Sequence, residues 1–472
     1  MRFRYLFTAL LFSIPVFAAS LDEQLFHHIK YQLSESKYED VSLGIVVDKI
    51  SRFKKKRLFE KNAKELFIPA STIKPLLSLA VLDQFGKNYK FKTFLMSDRK
   101  IKNDVLDGNI YIKGMGDPSL QREDLEKIVL KLKTMGLSRI KGDVVYDTTL
   151  FKNDDHPHYK NARYYNAPSG ALSLDYNQLN FVIDSNSKAI VSEFPTSYVE
   201  ISIEGDVLLN NTHQGFPWPA IEVKQYSDHY VIHGDVTPKD QDNRFLNVMV
   251  SRPGLFFSTQ FKELCTKKGI EITGVIRPGV IPKSHVVLLE YEGAKLASII
   301  KELNQESNNV VAKILNKDLA AFRGKVPADK ASGVAILRQF CKQKLKFKEG
   351  SFVLKDASGL SLENRISADQ LSLMLQYIYK KRRIREVMIT SFVKLGEHEK
   401  YKHLIPPDHL DVYIKTGTLA SNGINSVIGY VFNNNNGEVY SFSILTDHQT
   451  NVAYKGTLTY PILRSLFLGL GS

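Results

Sequence analysis

The stretch from Pro69 to Leu82 constrains the fold of this chain more than any other. Ser71 and Lys74 stand three residues apart at the mouth of Ile73 to Leu82, a run that is otherwise apolar except for Ser78. Such a run predicts a buried helix, and a spacing of three puts both side chains on one face. A lysine packed among Ile73, Leu76 and Leu77 loses hydration, which lowers its pKa and favours the neutral amine. A neutral amine beside a serine hydroxyl is a base beside a nucleophile. The β-branched stretch Val41 to Ile50 predicts a strand ahead of this helix. S-x-x-K alone carries little weight, because Ser and Lys are common at helix starts.

Two further motifs change that weight. Ser307-Asn308-Asn309 interrupts two helical stretches, the first bearing Leu296, Ile299, Ile300 and Leu303 at i, i+3, i+4, i+7. Lys415-Thr416-Gly417-Thr418 ends a strand in Val412 to Ile414. Seen singly, the first reads as a helix cap and the second as a strand end. In this order and context they match the S-x-x-K, S-x-N and K-T-G set of penicillin-recognising enzymes. In that arrangement Ser307 can pass a proton between Lys74 and a leaving group, the Asn309 amide can hold a substrate carbonyl, and Lys415 can pair with a terminal carboxylate. Gly417 lets backbone and substrate approach closely.

The chain resembles the class C low-molecular-mass penicillin-binding proteins, the D-alanyl-D-alanine carboxypeptidase/endopeptidase family, over nearly all of its mature length. Phe59-Glu60-Lys61-Asn62 leading to Pro69-Ala70-Ser71-Thr72 is similar to that family's approach to its nucleophile. Asp356-Ala357-Ser358-Gly359-Leu360-Ser361 resembles its Gly-rich loop, and Lys113 to Pro118 and Pro253 to Gly274 resemble its inserted-domain signatures. The long gap from Lys74 to Ser307 is distinctive of the family. The resemblance implies an α+β fold: a serine-transpeptidase/β-lactamase-like domain, its antiparallel sheet between helical layers, with nested, mainly β inserted domains. It implies Ser71 as nucleophile, Lys74 as its base, Ser307 as proton relay, Asn309 as a substrate-amide contact and Lys415 as carboxylate partner. Thr416, Gly417 and Thr418 would also border substrate, and the backbone N–H groups of Ser71 and Thr418 would form the oxyanion hole. The expected activity is that of a serine DD-peptidase acting on peptidoglycan stem peptides, with β-lactams as covalent inhibitors and no cofactor. Three positions depart from the pattern: Asn308 where Asp is frequent, Leu362 where a basic residue is common, and Pro75, which denies the helix its bond to the Ser71 carbonyl.

Arg2 and Arg4, the apolar run Tyr5 to Val16 and the small residues after it predict a secretory signal peptide over residues 1–18. A permanent anchor is the alternative, although the run is too short to span a bilayer. The expected localisation is the periplasm or cell envelope. The expected division assigns 19–90 and 284–472 to the catalytic domain and 91–283 to an inserted region of two nested smaller domains, with one amphipathic helix from Arg122 to Met135 and a strand from Arg139 to Tyr146. Ser367 is placed to cap a helix, Ser426 to Phe432 and Glu438 to Leu445 form a hairpin, and Tyr460 to Leu470 is a packed terminal helix in preference to a membrane-lying one.

The formal charge is +14, or +12 once Arg2 and Arg4 are removed. Export excludes nucleic acid as the partner of runs such as Lys54 to Arg57 and Lys380 to Arg383, leaving anionic membrane or wall polymers or solvent alone. The two cysteines, Cys265 and Cys341, rule out a disulfide scaffold and leave their own pairing open. Asp154, Asp155, His156 and His158 form a weak metal-like cluster better read as a loop around Pro157, so no metal is expected. Two rivals stand beside the DD-peptidase: a β-lactamase, which needs a deacylating base that no motif supplies, and a non-catalytic wall-binding scaffold, which has no need of Ser71 and Lys74.

Overall fold

The computed structural model describes residues 41–154, 162–184, 189–204, 220–223, 228–233, 244–448 and 458–471, with Glu23, His27, Lys30 and Tyr31 ahead of them. The leader expected over 1–18, and Asp155, His156, Pro157 and His158, lie outside the described residues. No helix among the described residues is long and apolar enough to cross a membrane.

The two ends of the chain meet in one six-stranded antiparallel sheet. Its order is Val393–Lys394, Leu410–Leu419, Ile424–Asn433, Glu438–His448, Val41–Ile50, Lys55–Lys61. Along Val41–Ile50, Val46 and Ile50 enter the helical core, while Leu43, Ile45 and Val47 face the opposite side. Burial on both faces is why this strand reads as a continuous β-branched run instead of an alternation. The far side is covered by the helix Thr459–Gly471, whose Ile462, Leu463, Leu466, Phe467 and Leu470 are buried against the sheet. The apolar face that a membrane-lying helix would need is therefore occupied.

On the other side the helix Lys74–Phe85 packs against Leu296–Gln305, Asn309–Ala321, Lys330–Lys344 and Arg382–Thr390. A 3₁₀ turn, Ala70–Ile73, precedes it. Pro75 falls in the first turn, where an N–H has no intrahelical partner, and the Ser71 carbonyl accepts from the Lys74 N–H instead. Ser367 caps Ala368–Lys380 in a capping box with Gln370.

The chain leaves this layer after Tyr89 and returns at Leu296, whose N–H donates to the Tyr89 carbonyl at 2.8 Å. Lys90–Ser97 and Val286–Lys295 run antiparallel as neighbours in a five-stranded mixed sheet with Ile110–Gly114, Val144–Asp147 and Ile276–Pro278. The expected strand from Arg139 to Tyr146 is two strands in different sheets. Arg139–Ile140 joins a small parallel sheet, and Val144–Asp147 the mixed one. Gly142 lies between them, where a Cβ would come within 2.4 Å of the Gly108 carbonyl oxygen. Two further three-stranded sheets lie between Val144–Asp147 and the helix Pro253–Lys267. Their core is continuous with Val310, Ile314 and Ala320 of Asn309–Ala321, so this part of the chain packs directly on that helix. Cys265 is buried in this core and Cys341 in the helical core, both as free thiols.

Candidate active site

Lys74 opens its helix fully buried. Its Nζ lies 2.8 Å from Ser71 Oγ, 2.8 Å from Asn309 Oδ1 and 2.6 Å from the Ser358 carbonyl. Burial lowers its pKa to about 7; the Asp356 carboxylate opposes this and the Lys313 ammonium adds to it. In the neutral amine two N–H groups serve Asn309 Oδ1 and the Ser358 carbonyl, which leaves the lone pair for the Ser71 hydroxyl.

Each partner is itself held. Asn309 donates from Nδ2 to the Tyr165 carbonyl at 3.3 Å, so its Oδ1 turns to Lys74. Asp356 accepts from Ser358 Oγ, the Gly359 and Leu360 N–H groups and Asn364 Nδ2 at 2.6–3.2 Å, which fixes the loop that presents the Ser358 carbonyl. Gly359, at φ +89°, passes so close to the Ser71 turn that a Cβ would meet the Ala70 oxygen at 2.2 Å.

Ser307 takes a left-handed φ of +59° between Leu296–Gln305 and Asn309–Ala321. That conformation costs a non-glycine residue about 1 kcal/mol or more. It brings Oγ to 3.0 Å from Lys415 Nζ. Asn308 caps the second helix, its Oδ1 accepting from the Val310 and Val311 N–H groups at 3.0 and 3.2 Å. Asn and Asp do this equally well, which accounts for the departure at that position.

Lys415 is buried and also donates to the Thr416 carbonyl at 2.8 Å. Burial pushes its pKa well down, with further repulsion from Lys74 and Lys400, opposed by Glu306. Among the described residues no carboxylate forms an ion pair with it. Thr416 Oγ1 meets the Tyr401 hydroxyl at 2.7 Å, and Thr418, exposed at the strand end, donates to Asn425 Oδ1 at 3.3 Å. Gly417 crosses the Ser71 turn so closely that a Cβ would lie 2.7 Å from Ser71 N and 2.8 Å from the Pro69 oxygen.

All eight residues singled out in the sequence thus lie around one centre. Sequence reasoning missed the carbonyls of Ser358 and Tyr165 and the Tyr401 hydroxyl. The D-x-S-G pattern at Asp356 signals a turn, whereas nothing in the sequence marks Tyr165. A cavity of about 470 Å³ is lined by Asn166, Lys313, Asp356, Ser358 and Leu360 among others. Asp154, which also lines it, is paired with Lys317 at 2.7 Å. Among the described residues no group of three or more His, Cys, Asp or Glu is placed to hold a metal ion.

The D-Ala-D-Ala carboxypeptidase 3 (S13) family matches residues 26–458. D-alanyl-D-alanine carboxypeptidase DacB of Haemophilus influenzae is 24% identical over 443 residues, 92% of this chain and 91% of the relative. The crystal structure of penicillin binding protein 4 (dacB) from the same organism aligns with TM-score 0.76 at 22% identity, covering 96% of this chain and 99% of that one. Its complex with a β-lactam aligns with TM-score 0.72 at 23% identity, covering 94% and 98%. The fold is therefore the α+β serine-transpeptidase-like one, and with the family matching nearly the whole chain, this protein belongs to the D-Ala-D-Ala carboxypeptidase 3 (S13) family.

Proposed function

We propose that this D-Ala-D-Ala peptidase works through an acyl-enzyme on Ser71, with Lys74 as its base. The observation that carries the reading is the buried Lys74 amine, whose other two bonds are taken by Asn309 and Ser358 while it faces the Ser71 hydroxyl. Lys74 accepts the Oγ proton as Ser71 attacks the carbonyl of the penultimate D-Ala. The N–H groups of Ser71 and Thr418, on the two backbone segments that Gly417 brings together, receive the oxyanion. Ser307, bonded to Lys415, relays the proton that Lys74 took from Ser71 to the departing amine, which restores the Lys74 amine. Lys415 draws in the terminal carboxylate as the charge partner its buried site otherwise lacks. Asn309, Thr416 and Thr418 orient the peptide. Water then hydrolyses the ester.

The substrates are D-Ala-D-Ala termini and D-Ala cross-links of peptidoglycan stems, and β-lactams acylate the same serine. The match of the D-Ala-D-Ala carboxypeptidase 3 (S13) family over residues 26–458 favours the peptidase over a β-lactamase. The bonded Ser71–Lys74 pair disfavours a scaffold. The protein works in the periplasm or cell envelope after loss of residues 1–18. Basic stretches give it peripheral contact with anionic membrane or wall polymers, although Arg57 is engaged with Asp48, Glu60 and Asp369. Residues 91–283, with the pairing strand Val286–Lys295, form two nested inserted domains; the sheet topology supports this division. Incubation with stem pentapeptides and cross-linked dimers tests the activity: the wild type releases D-Ala or splits the dimer, and Ser71→Ala does neither. A wild type inert on both substrates refutes the reading.

A further inference from the structure

The helix Asn309–Ala321 carries a second polar residue one turn beyond Asn309. Lys313 lies at i+4 on the same face, and it points across the boundary between the catalytic layer and the inserted region. Its Nζ donates to the Ala167 carbonyl at 2.7 Å and lies 3.5 Å from the Asn166 carbonyl. These carbonyls directly follow that of Tyr165, the acceptor for Asn309 Nδ2. The turn Tyr164–Asn166 is thus fastened to one helix face at consecutive carbonyls, by the amide at 309 and the ammonium at 313.

The fastening matters because an amide has two ends. With Oδ1 toward Lys74, Asn309 accepts an N–H and leaves the amine lone pair to Ser71. Rotated by half a turn, it would set N–H against N–H and compete with Ser71 for the lone pair. The Tyr165 carbonyl selects the first orientation, and Lys313 holds that carbonyl in place. We infer that Lys313 is a positioning residue that locks the inserted region's turn onto the catalytic helix and thereby keeps the Asn309 amide in the orientation that leaves Lys74 a base for Ser71. This inference rests on the proposed Ser71–Lys74 mechanism.

Lys313 also acts through its charge, and the two effects separate with pH. The charged groups acting on Lys74 are Asp356 from the loop and Lys313 from the helix, with Lys415 across the site. Well above pH 7 Lys74 is already neutral, so a purely electrostatic contribution disappears while a positioning one persists. The test is the second-order rate of acylation by a labelled penicillin at pH 9, in the full chain, for Lys313→Met, Lys313→Arg, Asn309→Ala and the Lys313→Met/Asn309→Ala double variant. Expected are a loss of about tenfold in Lys313→Met, recovery to within about twofold in Lys313→Arg, and a double variant no slower than Asn309→Ala alone. Losses that multiply in the double variant, a loss that vanishes at pH 9, or an Arg variant as slow as Met each overturn the inference. Should Lys313→Met not fold, Lys313→Gln, which keeps a donor on a shorter arm, replaces it with the same expected losses. If the wild type itself takes no label at Ser71, the underlying mechanism fails, and that outcome is distinct from failure of the Lys313 role.

Discussion

The pH dependence of acylation follows from the burial of one lysine. With a pKa of about 7, Lys74 is about 1% amine at pH 5, about 9% at pH 6, half at pH 7 and about 90% at pH 8. If the amine form is what activates Ser71, the second-order rate of acylation by a fluorescent penicillin rises about 90-fold between pH 5 and 8 and then levels. A lysine with an ordinary pKa near 10.4 would instead give about tenfold per unit up to pH 9 without levelling. The sign is fixed by desolvation, which disfavours the ammonium. Substitutions should move the limb in opposite directions. Asp356→Asn removes a carboxylate that favours the ammonium and shifts it down; Asn309→Asp puts a negative charge beside Nζ and shifts it up. Stopped-flow fluorescence from pH 5 to 9 follows all three proteins. A profile flat from pH 5 to 8, one still climbing tenfold per unit at pH 9, or a limb indifferent to both substitutions would refute the reasoning.

If Lys415 holds the terminal carboxylate, Lys415→Ala removes a charge-assisted contact worth about 1.5–3 kcal/mol, and kcat/KM on a pentapeptide with a free carboxylate falls about 10- to 100-fold; an unchanged value would place the carboxylate elsewhere. Gly417→Ala forces a methyl to within 2.7 Å of Ser71 N, and the displaced turn costs about 1–3 kcal/mol, read as a penicillin acylation rate lower by about 5- to 150-fold. Wild-type rates in that variant would contradict the close crossing. Leu463→Ala opens a cavity between the terminal helix and the sheet and should destabilise by about 2–5 kcal/mol in denaturant unfolding, with the acylation pH limb unmoved. A neutral effect would mean that the helix is not docked.

The site was legible where chemistry lies in short local spacings. Ser71 and Lys74 share a turn, and the capping and strand contexts of Asn309 and Lys415 are local too. Their convergence across 235 residues from Lys74 to Asn309 came only through family resemblance. The Ser358 and Tyr165 carbonyls contribute through backbone, which any residue carries, and Lys313 acts on a turn 146 positions away. No spacing rule reports such contacts. The single strand expected from Arg139 to Tyr146 failed because alternation survives across Gly142, where close backbone approach divides the segment between two sheets. The terminal helix was readable because its apolar residues follow one stripe and Pro461 falls in its first turn, where proline is tolerated.

The central claim is that Ser71 is the acylated nucleophile. Incubating the protein with a labelled penicillin, digesting it and sequencing the labelled peptide by mass spectrometry tests it directly. The expected result is one adduct per chain, on Ser71, absent from Ser71→Ala and lost only slowly from the wild type. Label on any other residue, or undiminished labelling of Ser71→Ala, would contradict it.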